Sequence, residues 1–409
     1  MGTMPRHETS APRQTRRLSL ILLLLCGGLT LAGGAGPPPA RLGGRISHAD
    51  ATMTALTTDA SGAAVVAWVE LSLAQGRPYG HLHAARWSGG DWTPLGGVLN
   101  ENAVHNAWQL SAVRGPDGQP WLGWAEDAGT AHVDSYLISR WDGAHWSNPS
   151  TYAVRRNLSD AGKSRAFTVT TANTPYLTWT NIYFPGAYAQ VVQPFTWQGT
   201  VWEEHAPPLN HTIRSAAFFP AAARGPDGAL YTAWLEGDVA HSDVYVDHQT
   251  ADGSWIPLGG ATNVRPHTYT FAPQLAVGAQ GPVAAWLEDV GGTDNLFVKR
   301  WTGQAWVSLG KSLNLDSSHL AERPNLTLDA QGRPLVAWVE GGSGHPRQAY
   351  AKRWDGQHWT LLGGRALNVH SGHDASSASV TVDGNGNAVV AWCERDSAGR
   401  SVMVKRFAP

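Results

Sequence analysis

The chain has 409 residues, enough for two or three average domains or for one long all-β repeat fold. Charged residues make up 15% while glycine (46) and tryptophan (20) are abundant, which excludes a disordered polyelectrolyte and suits many short packed strands joined by tight turns. A formal net charge of −2 argues against a nucleic-acid partner.

Residues 1–35 read as an export signal: basic RQTRR from Arg13, an apolar run LSLILLLLCGGLTLA from Leu18, then the small residues GGAG, with cleavage expected before Gly36. Arg16-Arg17 suggests the twin-arginine route, with the general secretory route as the alternative. Cys26 raises a lipoprotein, which Leu25 just before it opposes, and an uncleaved anchor is opposed by the shortness of the apolar run. The expected location is therefore outside the cell, in a periplasm or at the cell surface, with no membrane span after cleavage. Loss of the segment removes four arginines and one glutamate and takes the net charge from −2 to −5. Cys393 is then the one cysteine left; no internal disulfide is possible, and its place in an apolar strand marks it as a core residue.

From residue 49 onward two signatures alternate. One ends strands at VVAWVE (Glu70), WLGWAE (Glu126), YTAWLE (Glu236), VAAWLE (Glu288), LVAWVE (Glu340) and VVAWCE (Glu394), with the degenerate YLTWTN ending at Asn181. The other is RWSGGDWTPLGGVLN from Arg86, RWTGQAWVSLGKSLN from Arg300 and RWDGQHWTLLGGRALN from Arg353, with looser copies at Arg140 and Thr196. Tryptophans at 68, 124, 179, 234, 286, 338 and 392 recur every 52 to 56 residues and define seven units, approximately 49–100, 101–157, 158–210, 211–263, 264–314, 315–368 and 369–409.

Each unit reads as four strands, A to D, exemplified in the sixth by NLTLD, PLVAWVE, QAYAKRW and HWTLLGG. DASG, GPDG, GAQG, DAQG and DGNG supply the A–B turns, and WDG or WSGG the C–D turns. Strand B is apolar on both faces, so both must be covered. Seven sheets packed radially achieve this, and the fold class expected is an all-β, seven-bladed β-propeller of four-stranded antiparallel blades, residues 36–409 forming one domain. The Trp of strand B is expected to fill the gap between blades. The seventh unit stops after strand C, while ARLGGRIS at 40–47 matches TLLGGRAL in the sixth; the N-terminal segment is expected to complete the last blade and close the ring.

This pattern resembles the secreted bacterial β-propeller repeat proteins grouped with the kelch-like and sialidase-like (BNR) families, and the resemblance covers all of 36–409. GPDG between strands A and B and RWDG after strand C also look like WD repeats, although the Gly-His pair before strand A and the Asp after strand B are not maintained. The sialidase Asp-box is not intact, so sialidase activity is not implied. The resemblance implies a fold and leaves the function to the site.

The A–B and C–D turns fall on one face of such a ring, and the B–C and D–A connections, expected to be longer, on the other. Six equivalent glutamates lie on too wide a circle to share a cation, so each is expected to accept hydrogen bonds from a neighbouring blade's loop. Asn100, Asn210, Asn314 and Asn368 are expected to form turns. His48, His105, His211, His267, His319, His370 and His373 follow at varying offsets; they are expected to be polar loop residues rather than a metal ring. No metal and no cofactor are expected.

A single site must break the repeat. Blade 3 does so with Asn181, with Tyr183, Phe184 and Tyr188 in its B–C loop, and with Lys163 and Arg165 in the preceding D–A loop. Blades 4 and 5 add Arg214, Arg265, His267 and Tyr269. Aromatic rings beside cations suit a sugar or an anionic polysaccharide. The expected function is a monomeric carbohydrate-binding module. The alternatives are a glycoside hydrolase using Glu236, Asp238 or Glu288, a polysaccharide lyase with a Tyr or His base, and a scaffold docking an envelope protein.

Overall fold

Strand B of each unit is apolar at odd and even positions alike, and in the sixth all eight residues of Pro334–Gly341 are buried. A sheet buried on both faces needs two neighbours, and the computed structural model provides them. It describes residues 40–409 except 75, 128–133, 156–163, 184–188, 206, 213, 239–240, 267, 343 and 398, and except the side chains of 74, 134, 155, 182–183 and 189. The described residues form seven four-stranded antiparallel sheets, each ordered A-B-C-D. Strands A are Asp50–Thr58, Asn106–Arg114, Arg165–Val169, Ala216–Arg224, Thr270–Gly278, Leu320–Leu328 and Ala375–Val382. Each packs against strand A of the next blade, and the last packs against the first, so these seven line the axis of a closed ring.

The core is divided among the seven interfaces between blades, each with its own apolar cluster. The strand-B tryptophan sits in each, turned toward the preceding blade; Trp338, for example, packs against Val283, Ala285, Val298 and other residues of blade 5. A second tryptophan pair closes the C–D hairpins, with Trp87 opposite Trp92, Trp197 opposite Trp202, Trp301 opposite Trp306 and Trp354 opposite Trp359. The strand-D indole then crosses to the preceding blade. Trp146 donates to Leu95 O at 2.8 Å, Trp306 to Leu258 O at 2.7 Å and Trp359 to Leu309 O at 2.5 Å. The repeated LGG thus places the acceptor for the next blade's tryptophan.

The same bond closes the ring. Trp92 of blade 1 donates to Leu42 O at 2.9 Å, and Leu42 belongs to the segment that completes blade 7. Ala40 pairs with Arg406 and Arg41 with Lys405, Leu42 N donates to Val404 O at 3.0 Å, and Val402 N donates to Ser47 Oγ at 3.1 Å. At the same seam the A–B turns of blades 1 and 7 touch: Gly384 N donates to Gly62 O at 2.8 Å. Gly62 has φ 81°, and a Cβ on it would lie 2.5 Å from Gly384 Cα, so this seam admits only glycine. Among the described residues no helix is long and apolar enough to cross a membrane.

Candidate functional site

The six glutamates of strand B are scaffold. Glu236 is 5% and Glu288 0% exposed. Glu236 accepts the Trp234 indole N–H at 3.2 Å and the backbone N–H groups of His211 (2.9 Å) and Thr212 (2.7 Å). Glu288 accepts from Trp286, Val264, Arg265 and the Thr268 hydroxyl. The pattern recurs at Glu70, Glu126, Glu340 and Glu394. In each case the carboxylate clamps the loop entering its own blade, which corrects the neighbouring-blade loop expected above. A carboxylate so buried beneath its own loop cannot approach a glycosidic bond, which argues against a glycosidase role for Glu236 and Glu288. Asp238 is exposed, but it caps the B–C turn by accepting His241 N at 2.8 Å.

The asparagines preceding these loops complete the clamp. Asn100 accepts Leu82 N at 2.8 Å and donates to Gly80 O and His105 O; Asn210, Asn314 and Asn368 repeat all three bonds. Asn263, in the sequence TN rather than LN, makes the first two and is a fifth member that the repeat pattern missed. The amide side chain mimics one more residue of strand D. The carbonyl it binds in four blades belongs to the residue five positions later, so these loops share one conformation.

The two faces differ as expected, but the B–C connections are shorter than expected. In blades 1, 4, 5 and 7 strand B runs past its glutamate, to Ala74, Gly237, Asp289 and Asp396, and strand C begins at Arg77, Ser242, Asp294 and Gly399. The longer connections on this rim are therefore chiefly the D–A loops leading into strand A. There the innermost strands are strained. Gln109, Phe219, Ala272, Arg323 and Ser377 have φ between 50° and 52° at a β-bulge in blades 2, 4, 5, 6 and 7. In three of these the next residue is Pro220, Pro273 or Pro324, consistent with proline being tolerated in a strand only at edges and bulges. Left-handed backbone at non-glycine residues is costly, and five equivalent copies are a feature of the mouth of the axis.

Around this mouth stand Arg214, Arg265 and Arg323, on three consecutive blades. All three are exposed, and their guanidinium groups make no ion pair or hydrogen bond among the described residues. By contrast Arg86, Arg140, Arg333, Arg347 and Arg400 are each held by a carboxylate. Phe219, in strand A of blade 4, is 45% exposed, and Tyr269 stacks on Phe271 with ring centroids 5.5 Å apart. Arg165 is placed differently. Its guanidinium lies 5.6 Å from the Tyr136 and Trp179 rings and 3.4 Å from Gln109 Oε1, packed between blades 2 and 3. Burial pushes the Tyr136 hydroxyl up to about 12. Asn181 is half-buried in strand B opposite Val191. Lys163, Phe184, Tyr188, His267 and the Tyr183 side chain lie outside the described residues.

The interface between blades 3 and 4 also departs from the repeat. Its apolar cluster has four buried members, Val192, Leu209, Ala217 and Trp234, with Tyr245 and Trp255 packed against them, and polar pairs occur in the same two blades. Tyr176 Oη meets Thr232 Oγ1 at 2.8 Å, Thr196 Oγ1 meets His205 Nε2 at 2.8 Å, and His211 Nε2 lies 3.0 Å from Asp247 Oδ1. Asp247 occupies the register position that holds Lys299, Lys352 and Lys405 in blades 5 to 7. Each of those lysines lies over its blade's strand-B tryptophan. The hydrogen bond to Asp247 raises the His211 pKa above its ordinary value of 6.5.

No known family description matches the sequence, and no curated protein matches it. Among solved structures the chain is similar to a polysaccharide lyase, the PL25 ulvan lyase, with a TM-score of 0.55 at 13% identity over 90% of this chain and 96% of that one. The lyase bound to -[GlcA(1-4)Rha3S]- aligns with the same figures. A protein of unknown function from Dyadobacter fermentans gives a TM-score of 0.50 at 12% identity over 91% and 98% of the two chains. At such identities the likeness is one of fold.

Proposed function

We propose that the chain is an exported β-propeller, residues 1–35 being the export signal and 36–409 the single functional domain, which binds an anionic carbohydrate across the mouth of its axis. The observation carrying this reading is the set of three exposed, unpaired guanidinium groups, Arg214, Arg265 and Arg323, together with Phe219 and Tyr269. Guanidinium forks bind carboxylate and sulfate in two-point fashion, and aromatic faces take the apolar faces of sugar rings. The similarity in fold to a lyase solved with a glucuronate and sulfated-rhamnose saccharide supports an acidic ligand.

A second reading, polysaccharide lyase activity at the same mouth, is favoured by the likeness extending over 96% of the ulvan lyase. It would use an arginine to neutralise the uronate carboxylate and a tyrosine or histidine as base. Hydrolysis through Glu236 and Glu288 has no such support.

Isothermal titration of the chain lacking residues 1–35 against sulfated and uronic-acid polysaccharides tests both. Binding that weakens with added salt is expected, and Arg214→Ala with Arg265→Ala together should weaken it by at least about tenfold, roughly 1.4 kcal/mol, with unchanged thermal unfolding. Equal affinity of the double variant, or no binding to any acidic polysaccharide, would overturn the site. Ultraviolet absorbance from an unsaturated uronate product distinguishes a lyase from a binder.

A further inference from the structure

The incoming loop of blade 7 differs from its counterparts in one respect. Counting from the clamp asparagine, the second and fifth positions are Asn102 and His105 in blade 2, Thr212 and Ser215 in blade 4, Arg265 and Thr268 in blade 5, and Asp316 and His319 in blade 6. In blade 7 both are histidine, His370 and His373, followed by the clamp glutamate Glu394. A turn in which His373 N donates to His370 O at 3.0 Å folds the two imidazoles together, ring centroids 4.7 Å apart.

We propose that His370, His373 and Glu394 bind a divalent transition-metal ion, of the zinc, nickel or copper class. One donor atom of each lies within 4.8 Å of the others, and among the described residues this is the sole group of His, Cys, Asp and Glu that meets this condition. Ligand atoms on a tetrahedral ion, with bonds of about 2.1 Å, sit about 3.4 Å apart, so modest side-chain rotation closes the site. His370 Nδ1 is already 3.5 Å from Glu394 Oε1.

Two independent observations point to an occupant. The Nδ1 of His373 is buried with no hydrogen-bond partner, a ring nitrogen without a use in the fold. Glu394 is bonded as the other clamp glutamates are, its Oε1 accepting one backbone N–H, from His370 (2.8 Å), but in blade 7 two imidazoles are grouped with its carboxylate. The same bonds fix the carboxylate's orientation, the usual task of groups behind a metal ligand. Asn368 fixes the loop by accepting Ala349 N at 2.8 Å and donating to His373 O at 2.7 Å. Two nitrogens and one oxygen, with no thiolate, select imidazole-preferring ions over calcium or magnesium. The His370 side chain is 61% exposed, so the fourth position faces solvent and takes water.

This site does not depend on the carbohydrate reading. The untagged chain lacking residues 1–35, stripped with EDTA and dialysed, is titrated with Zn2+ by calorimetry and with Co2+ by visible absorption. One equivalent of Zn2+ should bind and raise the unfolding temperature, and Co2+ should give the intense bands of a tetrahedral centre. His370→Ala and His373→Ala should each weaken Zn2+ binding by at least tenfold and abolish the thermal shift, while His319→Ala leaves both intact. Each variant's unfolding temperature without metal reports whether it has folded. No stoichiometric Zn2+ binding, or binding that survives in the folded double variant, overturns the proposal.

Discussion

Replacing Glu340 by alanine removes the acceptor for three N–H groups at once. Its carboxylate, 2% exposed, takes the Trp338 indole at 2.9 Å, Asp316 N at 2.9 Å and Leu315 N at 3.0 Å. Trp338 is fully buried, so its N–H is left stranded at a cost of about 1–3 kcal/mol. The two backbone groups lie on a loop that water can reach, so each loses only the net value of a charge-assisted bond, about 1 kcal/mol. The sum is about 3–5 kcal/mol. Glutamine keeps the shape and one carbonyl acceptor but turns an NH2 toward N–H donors, so about half that cost is expected for Glu340→Gln. Equilibrium denaturation followed by tryptophan fluorescence gives both values. Trp338→Phe, which deletes the main buried donor, should be less than additive with Glu340→Gln by about 1 kcal/mol. Both glutamate variants falling within about 0.5 kcal/mol of the parent would show that the carboxylate is not a clamp.

Two further outcomes follow from titratable groups. His211 gains a partner in Asp247 on folding and its pKa is raised, so its contribution is fully present below about pH 6.5 and lost as pH rises through the folded value. Unfolding temperatures between about pH 5.5 and 8.5 should show a decline on the alkaline side that His211→Asn flattens; superimposable profiles would refute the pairing. Cys393 is fully buried, and burial pushes its thiol up to about 12. In the chain lacking residues 1–35 a maleimide should label it no faster than the whole ring unfolds, and rapid stoichiometric labelling of the native protein would contradict its place in the core.

The fold was legible because the propeller is built from local rules repeated seven times. Trp338 and its six equivalents mark the interfaces, and the absent last strand D is recognisable in Leu42, Gly43 and Gly44. The rim was less legible for three physical reasons. Strand B's alternation continues beyond Glu70 into Leu71 and Leu73, so a strand end was placed where a strand continues. The bulges at Phe219, Ala272 and Arg323 leave no periodic trace except the following proline. Arg323, at one of these bulges, therefore carries no sequence signal that groups it with Arg214 and Arg265. Arg165 carries the right chemistry for the site, but contacts with Tyr136, Trp179 and Gln109 draw it between blades, which composition alone cannot foretell. The histidines follow the clamp asparagine at one (His211), two (His370), four (His267) and five (His105, His319, His373) positions, so no single offset in the sequence marks the fifth-position set.

Every element of the account depends on a ring closed by its own N-terminal segment. Thermal unfolding of a chain beginning at His48, compared with one beginning at Pro37, probes this directly. The shorter chain lacks the partners of Arg406 and Lys405, the acceptors for Trp92 and Val402, and the buried side chains of Leu42 and Ile46. It should lose its cooperative transition or melt well below the parent, and blade 7 amides should exchange fastest. An unchanged melting curve with blade 7 still protected would contradict the closed ring and the rim built on it.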